Sequence, residues 1–182
     1  MEKVISAENM VVAGNTIVIK SQNIQRILSV QDSFFASCIV KQHFDPIIGE
    51  AQNDYMIDKF QSVPAISGQI RNGYRYYLVT DGEGALLGFL AFYPREESMY
   101  LSKFYVDGKK RGRGIARKMF QFLEEETNKE NLSSIFLNVN RDNTQVIRIY
   151  EHLGFCIIRE ETNDIGNGFF MEDYVMKYDM QL

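Results

Sequence analysis

Cysteine is scarce in this chain: Cys38 and Cys156 are the only two in 182 residues, and they show neither metal nor redox spacing. They read as small core residues in a reducing compartment, and neither is set up as a nucleophile. No metal is expected. A long apolar run is also missing, because residues 85–93, around Gly88, are too short for a bilayer. Residues 1–14 lack the charged start and apolar core of a signal peptide. A cytoplasmic protein with no membrane partner is the expectation. Positive charge is not in excess either: 20 Lys and Arg stand against 24 Asp and Glu, a net charge of −4. That balance argues against a general nucleic-acid binder, which needs a basic face. Internal repeats, linkers and low-complexity segments are absent, so a single domain over residues 1–182 is expected.

Against that acidic background, positive charge is concentrated in one place. From Lys103 to Lys118 there are seven basic residues and only Asp107 to oppose them. The core of this stretch is Lys109-Lys-Arg-Gly-Arg-Gly-Ile-Ala-Arg-Lys118. Before it, residues 100–106 are rich in aromatic and β-branched side chains and read as a strand. After it, Ile115, Met119, Phe122 and Leu123 recur at helical spacing. A glycine-bearing basic loop that enters a helix offers free backbone N–H groups and a dipole end to an anion. Gly112 and Gly114 let the backbone come close to such a ligand. Neither the Gly-x-x-x-x-Gly-Lys-Ser/Thr spacing nor Gly-x-Gly-x-x-Gly is present.

The remaining chain reads as alternating strands and helices. A first strand is expected at residues 16–19 and helices at 22–40, 47–60 and 64–71, with a break at His43-Phe-Asp-Pro46. Pro64 suits a first helical turn and Gly73 a helix end. Residues 74–80, 86–93 and 99–106 form an antiparallel meander, turned by Asp81-Gly-Glu-Gly84 and by residues 94–98. A strand at 134–139 follows the helix after the basic loop, which favours a parallel pair with a right-handed crossover. A helix from Asn143 to about Leu153, a strand at 155–158 and a long strand at 168–178 complete the chain. The fold class is α/β, an α+β mixed sheet.

Two signatures carry a family resemblance. Arg111-x-x-Gly114-x-Ala116 resembles the pyrophosphate loop of the GCN5-related N-acetyltransferases, Gln/Arg-x-x-Gly-x-Gly/Ala. Asn143-x-x-Val146-x-x-x-Tyr150-x-x-x-Gly154-Phe155 resembles the Asn-x-x-Ala-x-x-x-Tyr-x-x-x-Gly-Phe signature of the same family. They occur in the family's order, and residues 101–106 are similar to its fourth strand. The tail Met171-x-Asp173-Tyr-x-Met176 is similar to closing strands of bacterial members that acetylate small amines. The resemblance implies the acyl-CoA N-acyltransferase fold, a twisted, mainly antiparallel sheet with a splayed parallel central pair and flanking helices. It implies acetyl-CoA as cosubstrate, whose pantetheine arm pairs with an open strand edge. Backbone groups of Phe104, Tyr105 and Val106 would hold that arm, and Arg111, Gly112, Arg113, Gly114, Ile115 and Ala116 the pyrophosphate. Asn143 would bond the pantetheine from the opposite wall, unless it is simply a helix N-cap. Tyr150 would protonate the leaving sulfur, unless it is a core tyrosine. Homodimerisation is the family's habit.

The general base is missing from the pattern. Where many relatives carry a strand glutamate, this chain has Ser102 and Lys103. An ordered water, Glu97, or an acid from the amino-terminal helices could substitute, while His43 and His152 are poorly placed for it. Asp45, Glu50, Asp54 and Asp58 form either a solvated helix face or an acidic mouth for a cationic amine. Glu160, Glu161, Asp164 and Glu172 add to that acidity. The expected activity is direct acetyl transfer to a small primary amine. A protein amino-terminal or lysine acetyltransferase and a non-catalytic acetyl-CoA sensor are the alternatives.

Overall fold

The computed structural model describes residues 7–12, 15–21 and 35–181. Strands β1 (Ala7–Val12) and β2 (Asn15–Ser21) pair antiparallel, and β2 covers the strand expected at residues 16–19. β1 was not expected, since Ala-Glu-Asn-Met-Val-Val carries no clean alternation.

Helices α1 (Phe35–Ile48), α2 (Glu50–Gln61) and α3 (Val63–Arg71) follow. The helix expected over residues 22–40 falls mostly outside the described residues. Its described continuation corrects the expected break, because α1 runs through Pro46. Proline removes an N–H donor and crowds the preceding turn. Here it stands exposed in the last turn of α1, where little helix remains to be disturbed. Gly49 ends α1 instead, at φ 84°, and its N–H donates to the Asp45 carbonyl at 3.1 Å. α2 therefore begins at Glu50, three positions later than expected. α3 keeps Pro64 in its first turn and is followed by Gly73 at φ 92°, as expected.

Strands β3 (Arg75–Asp81), β4 (Leu86–Arg95) and β5 (Ser98–Val106) lead to α4 (Ile115–Lys129), β6 (Ser134–Asn140) and α5 (Thr144–His152). Strands β7 (Cys156–Gly166) and β8 (Phe169–Asp179) close the chain. The eight strands lie in the order β1-β2-β3-β4-β5-β6-β8-β7, with β5 and β6 parallel as expected. No helix among the described residues is long and apolar enough to cross a membrane.

The chain divides into two compact units. One runs to Phe92 and takes in Lys103–Phe122; the other holds Tyr93–Ser102 and Leu123–Leu182. In the first, both faces of β3 and β4 are covered, which is why these strands are apolar nearly throughout. Tyr77 stacks on Phe92 at 5.2 Å between ring centroids, with Phe122 of α4 edge-on to Tyr77 at 4.8 Å. On the opposite face Ile66 of α3 packs with Tyr76 and Ala91, and Leu78 packs with Phe89.

In the second unit the parallel ladder registers Ser98↔Ser134, Met99↔Ile135 and Tyr100↔Phe136, and then stops, although β6 continues to Asn140. The whole of β6 pairs with Asp173–Asp179 of β8, and β7 lies at the sheet edge against β8. β7 is far longer than the strand expected at 155–158, and most of it faces solvent. Cys156, expected in the core, is exposed on it, because one side of an edge strand has nothing to pack against.

Candidate functional site

In the first unit, the end of β5 and the start of α4 are joined by a tightly specified connection. Asp107 accepts from the Lys109 N–H at 3.0 Å and closes a short 3-10 turn over Gly108–Lys110. The Arg111 Nε lies 3.4 Å from the Val106 carbonyl, which ties the loop back to the strand. Gly112 and Gly114 then take φ 74° and 76°, left-handed conformations that L side chains adopt at a cost. These two reversals lead into α4, whose first helical hydrogen bond runs from Lys118 N–H to the Gly114 carbonyl at 3.2 Å. The N–H groups ahead of Lys118 in this first turn have no acceptor within the helix, since none precedes them there. Arg111, Gly112, Arg113 and Gly114 are exposed, Ala116 is half-buried, and Ile115 is buried and anchors the helix start. Cationic side chains, free donors and the helix dipole thus converge at one accessible turn.

Phe104 and Tyr105 are half-buried and Val106 is buried at the end of β5. Tyr105 packs its ring against Phe89 at 4.9 Å, and burial pushes its hydroxyl up to about 12. Lys103, just before them, is 5 % exposed and has no carboxylate partner among the described residues. Burial lowers its ammonium to about 8. Of the two residues at the expected base position, the lysine is therefore the buried one, and Ser102 is half-buried.

In the second unit, Asn143 and Tyr150 stand seven residues apart at the two ends of α5, about two helical turns. Asn143 is 3 % exposed and occupies the N-cap position, but its side chain makes no capping hydrogen bond. Its backbone carbonyl takes the first helical bonds, from Val146 and Ile147. Tyr150 is 8 % exposed, with its ring edge-on to Phe155 at 5.5 Å. Gly154 carries the chain past the helix at φ 98°, and a side chain there would press on the Tyr178 ring. The Gly-Phe end of the signature thus has a physical reason: the glycine reverses the chain and Phe155 packs between Tyr150 and Tyr178.

The other expected contributors are engaged locally. Glu50 and Asp54 pair with Lys41, and Asp45 accepts from Asn53 at 2.7 Å. Asp58 is exposed on α2, and Glu97 is exposed in the turn between β4 and β5. His152 turns its Nδ1 to the Arg148 carbonyl of its own helix at 2.9 Å, and His43 lies edge-on to Phe44 at 4.8 Å. Sequence reasoning missed Lys103 and Asp173 as buried ionisable groups; Asp173 is 2 % exposed. Each sits in phase with apolar neighbours along its strand, Lys103 with Met99 and Leu101 and Asp173 with Val175, and that phase was the available signal.

Residues 40–155, which contain both signatures, match the model of the acetyltransferase (GNAT) family. The chain belongs to this family. A search of curated proteins by sequence matches none. Among solved structures, this acetyltransferase is similar to the PaiA N-acetyltransferase of Thermoplasma acidophilum in complex with coenzyme A. That likeness has a TM-score of 0.73 at 17 % identity and covers 90 % of this chain and 98 % of the other. The spermidine N-acetyltransferase of Vibrio cholerae, in complex with CoA and spermine, is similar at 15 % identity and TM-score 0.63, over 90 % and 95 % of the two chains. The ribosomal-protein-S18-alanine N-acetyltransferase of Escherichia coli aligns at TM-score 0.65 and 18 % identity, over 91 % and 95 %. At these identities the likeness establishes the fold.

Proposed function

We propose that the chain is one N-acetyltransferase domain that passes the acetyl group of acetyl-CoA directly to the primary amine of a small cationic acceptor. The observation that carries this reading is the turn from Arg111 to Ala116, where two left-handed glycines, two arginines and a helix start meet. Its backbone N–H groups receive the pyrophosphate, and Arg111 and Arg113 add charge. Phe104, Tyr105 and Val106 offer backbone groups to the pantetheine arm, and Asn143 adds a side-chain hydrogen bond. Acetyl-CoA supplies the activated acetyl group.

Attack by an amine needs a neutral nitrogen, a polarised carbonyl and a protonated leaving sulfur. Tyr150 supplies the last of these, since a phenol carries its proton at neutral pH and can donate it to the departing sulfur. Direct transfer needs no covalent acyl-enzyme, and neither Cys38 nor Cys156 is placed by a motif to form one.

This reading includes a cytoplasmic enzyme that pairs as a homodimer. The exposed side chains of Ile157 and Ile158 on edge strand β7, at 43 % and 49 %, support such a pairing. Sedimentation equilibrium tests it.

Incubation with labelled acetyl-CoA and a panel of polyamines, amino acids, amino sugars and peptides tests the activity. Label on a small amine is the expected result. Label on peptide termini or lysines alone would make the chain a protein acetyltransferase. Tight acetyl-CoA binding with no transfer would make it a sensor.

A further inference from the structure

Four strands of the second unit bring one polar cluster together. Asp173 of β8 stands opposite Asn140 of β6 on one side and Glu161 of β7 on the other. The Asn138 amide donates to Glu161 Oε2 at 3.1 Å, and the Tyr100 hydroxyl donates to Asn138 Oδ1 at 3.4 Å. Aromatic rings flank these groups: Tyr100 packs on Phe136 at 4.8 Å and on Tyr93 at 5.3 Å, and Arg95 lies over Phe136 at 5.9 Å.

Asp173 differs from its neighbours in forming no ion pair among the described residues. Glu161 pairs with Arg159 at 2.6 Å, while Arg141 holds Glu160 at 3.2 Å and Glu172 at 2.6 Å. Those pairs are partly or largely exposed. Asp173 is 2 % exposed, and among the described residues it belongs to no ion pair and its Oδ2 has no hydrogen-bond partner. Burial, reinforced by the Glu161 charge, pushes Asp173 up to about 6, against the pull of the Asn138 amide and the Arg141 guanidinium. A buried carboxylate with an orphan oxygen is unfavourable unless a partner arrives.

We infer that Asp173, with Glu161, Asn138 and Tyr100 around it, binds an alkylammonium group of the acceptor other than the nitrogen that takes the acetyl group. The inference rests on the acetyltransferase reading for the word acceptor, but the site itself does not. A primary ammonium carries one positive charge and three donors, which answers an anionic acceptor atom lacking a donor. The neighbouring Tyr100 ring offers a π face of the kind that also attracts cations. Every carboxylate around Asp173 that has an arginine is already compensated, so the uncompensated charge selects a cation over a neutral or anionic acceptor. The acids of α2 and α1 are not needed for this selection.

Spermidine, which keeps an ammonium when another of its nitrogens is neutral for attack, serves as the probe, with acetyl-CoA saturating, on the wild type and on Asp173→Asn. The variant should raise the KM for spermidine roughly 10- to 100-fold, the scale of one lost charged hydrogen bond, with a smaller change in kcat and unchanged acetyl-CoA affinity. In the wild type the amine KM should rise as pH falls through about 6, where Asp173 takes up a proton and loses its charge, and the asparagine variant should be flat there. Carbon NMR of the Asp173 carboxyl gives a readout independent of turnover: added spermidine should lower its titration midpoint. An unchanged KM in Asp173→Asn, or a midpoint that spermidine does not move, overturns the ammonium site while acetyl transfer stands. If no amine is acetylated at all, the acetyltransferase reading fails, and the NMR titration still decides the site. Melting curves of both proteins exclude a folding defect as the cause.

Discussion

The side-chain carbon that Gly88 lacks would fall on the carbonyl oxygen of Tyr105. It would also lie 3.3 Å from the Val106 Cα, so β4 and β5 approach here more closely than any side chain permits. Beside it the Asp107 N–H donates to the Leu87 carbonyl at 2.9 Å, which holds the strand end in place. Gly88→Ala should therefore cost about 1–3 kcal/mol, the range for forced overpacking. It should also weaken acetyl-CoA binding, because Tyr105 and Val106 are the proposed pantetheine edge. A urea midpoint equal to the wild type would show that the strands can move apart freely.

How legible a segment was in the sequence depended on how it is buried. β3, β4 and β5 pack on both faces or alternate cleanly, so their apolar runs announced them. The loop after β5 was legible because Gly112 and Gly114, which take φ 74° and 76°, stand in a run of basic residues between a strand and a helix. β7 was not, beyond its first residues, because an edge strand bearing Arg159, Glu160, Glu161 and Asp164 has no apolar period to read. α1 overran its expected stop because a proline in a final exposed turn disturbs little, and glycine was the real terminator. The burial of Asp173 without an ion pair stayed hidden because only three-dimensional neighbours reveal it.

Gly114 offers a direct test of the anion turn. Gly114→Asp would put a carboxylate where the phosphates are to bind and strain the left-handed backbone at φ 76°. Acetyl-CoA binding should be lost in calorimetric titration. Gly114→Ala carries the strain without the charge and should retain intermediate affinity. Wild-type affinity in the aspartate variant would remove this turn from the site.

Lys103 should weaken the fold at neutral pH. Its folded value of about 8 lies below the ordinary 10.5, so the native state disfavours the charged form. At pH 7 the buried ammonium is still protonated, and unfolding relieves it. As pH rises from about 8 towards 10.5, the native state sheds this proton more readily and the penalty disappears. Lys103→Met should therefore stabilise the protein by on the order of 2–3 kcal/mol at pH 7 and by much less at pH 10. Urea unfolding at both values checks it. An equal difference at both pH values would mean the ammonium is not desolvated.

Tyr150→Phe separates chemistry from packing. The ring that meets Phe155 at 5.5 Å is kept, so the end of α5 and the turn at Gly154 should hold and the melting temperature should barely change. If the hydroxyl protonates the leaving thiolate, turnover at saturation should fall by roughly 10²–10⁴, the range for a positioned general acid. Acetyl-CoA affinity should stay within a few-fold, because Arg111–Ala116 and the β5 edge are untouched. Weak cofactor binding with normal saturated turnover would instead make Tyr150 a binding residue. A large loss of stability would assign the hydroxyl to the core, with the hydrogen bond it gives up as the cause. Melting temperature, cofactor affinity and saturated rate, measured on one preparation, separate the three.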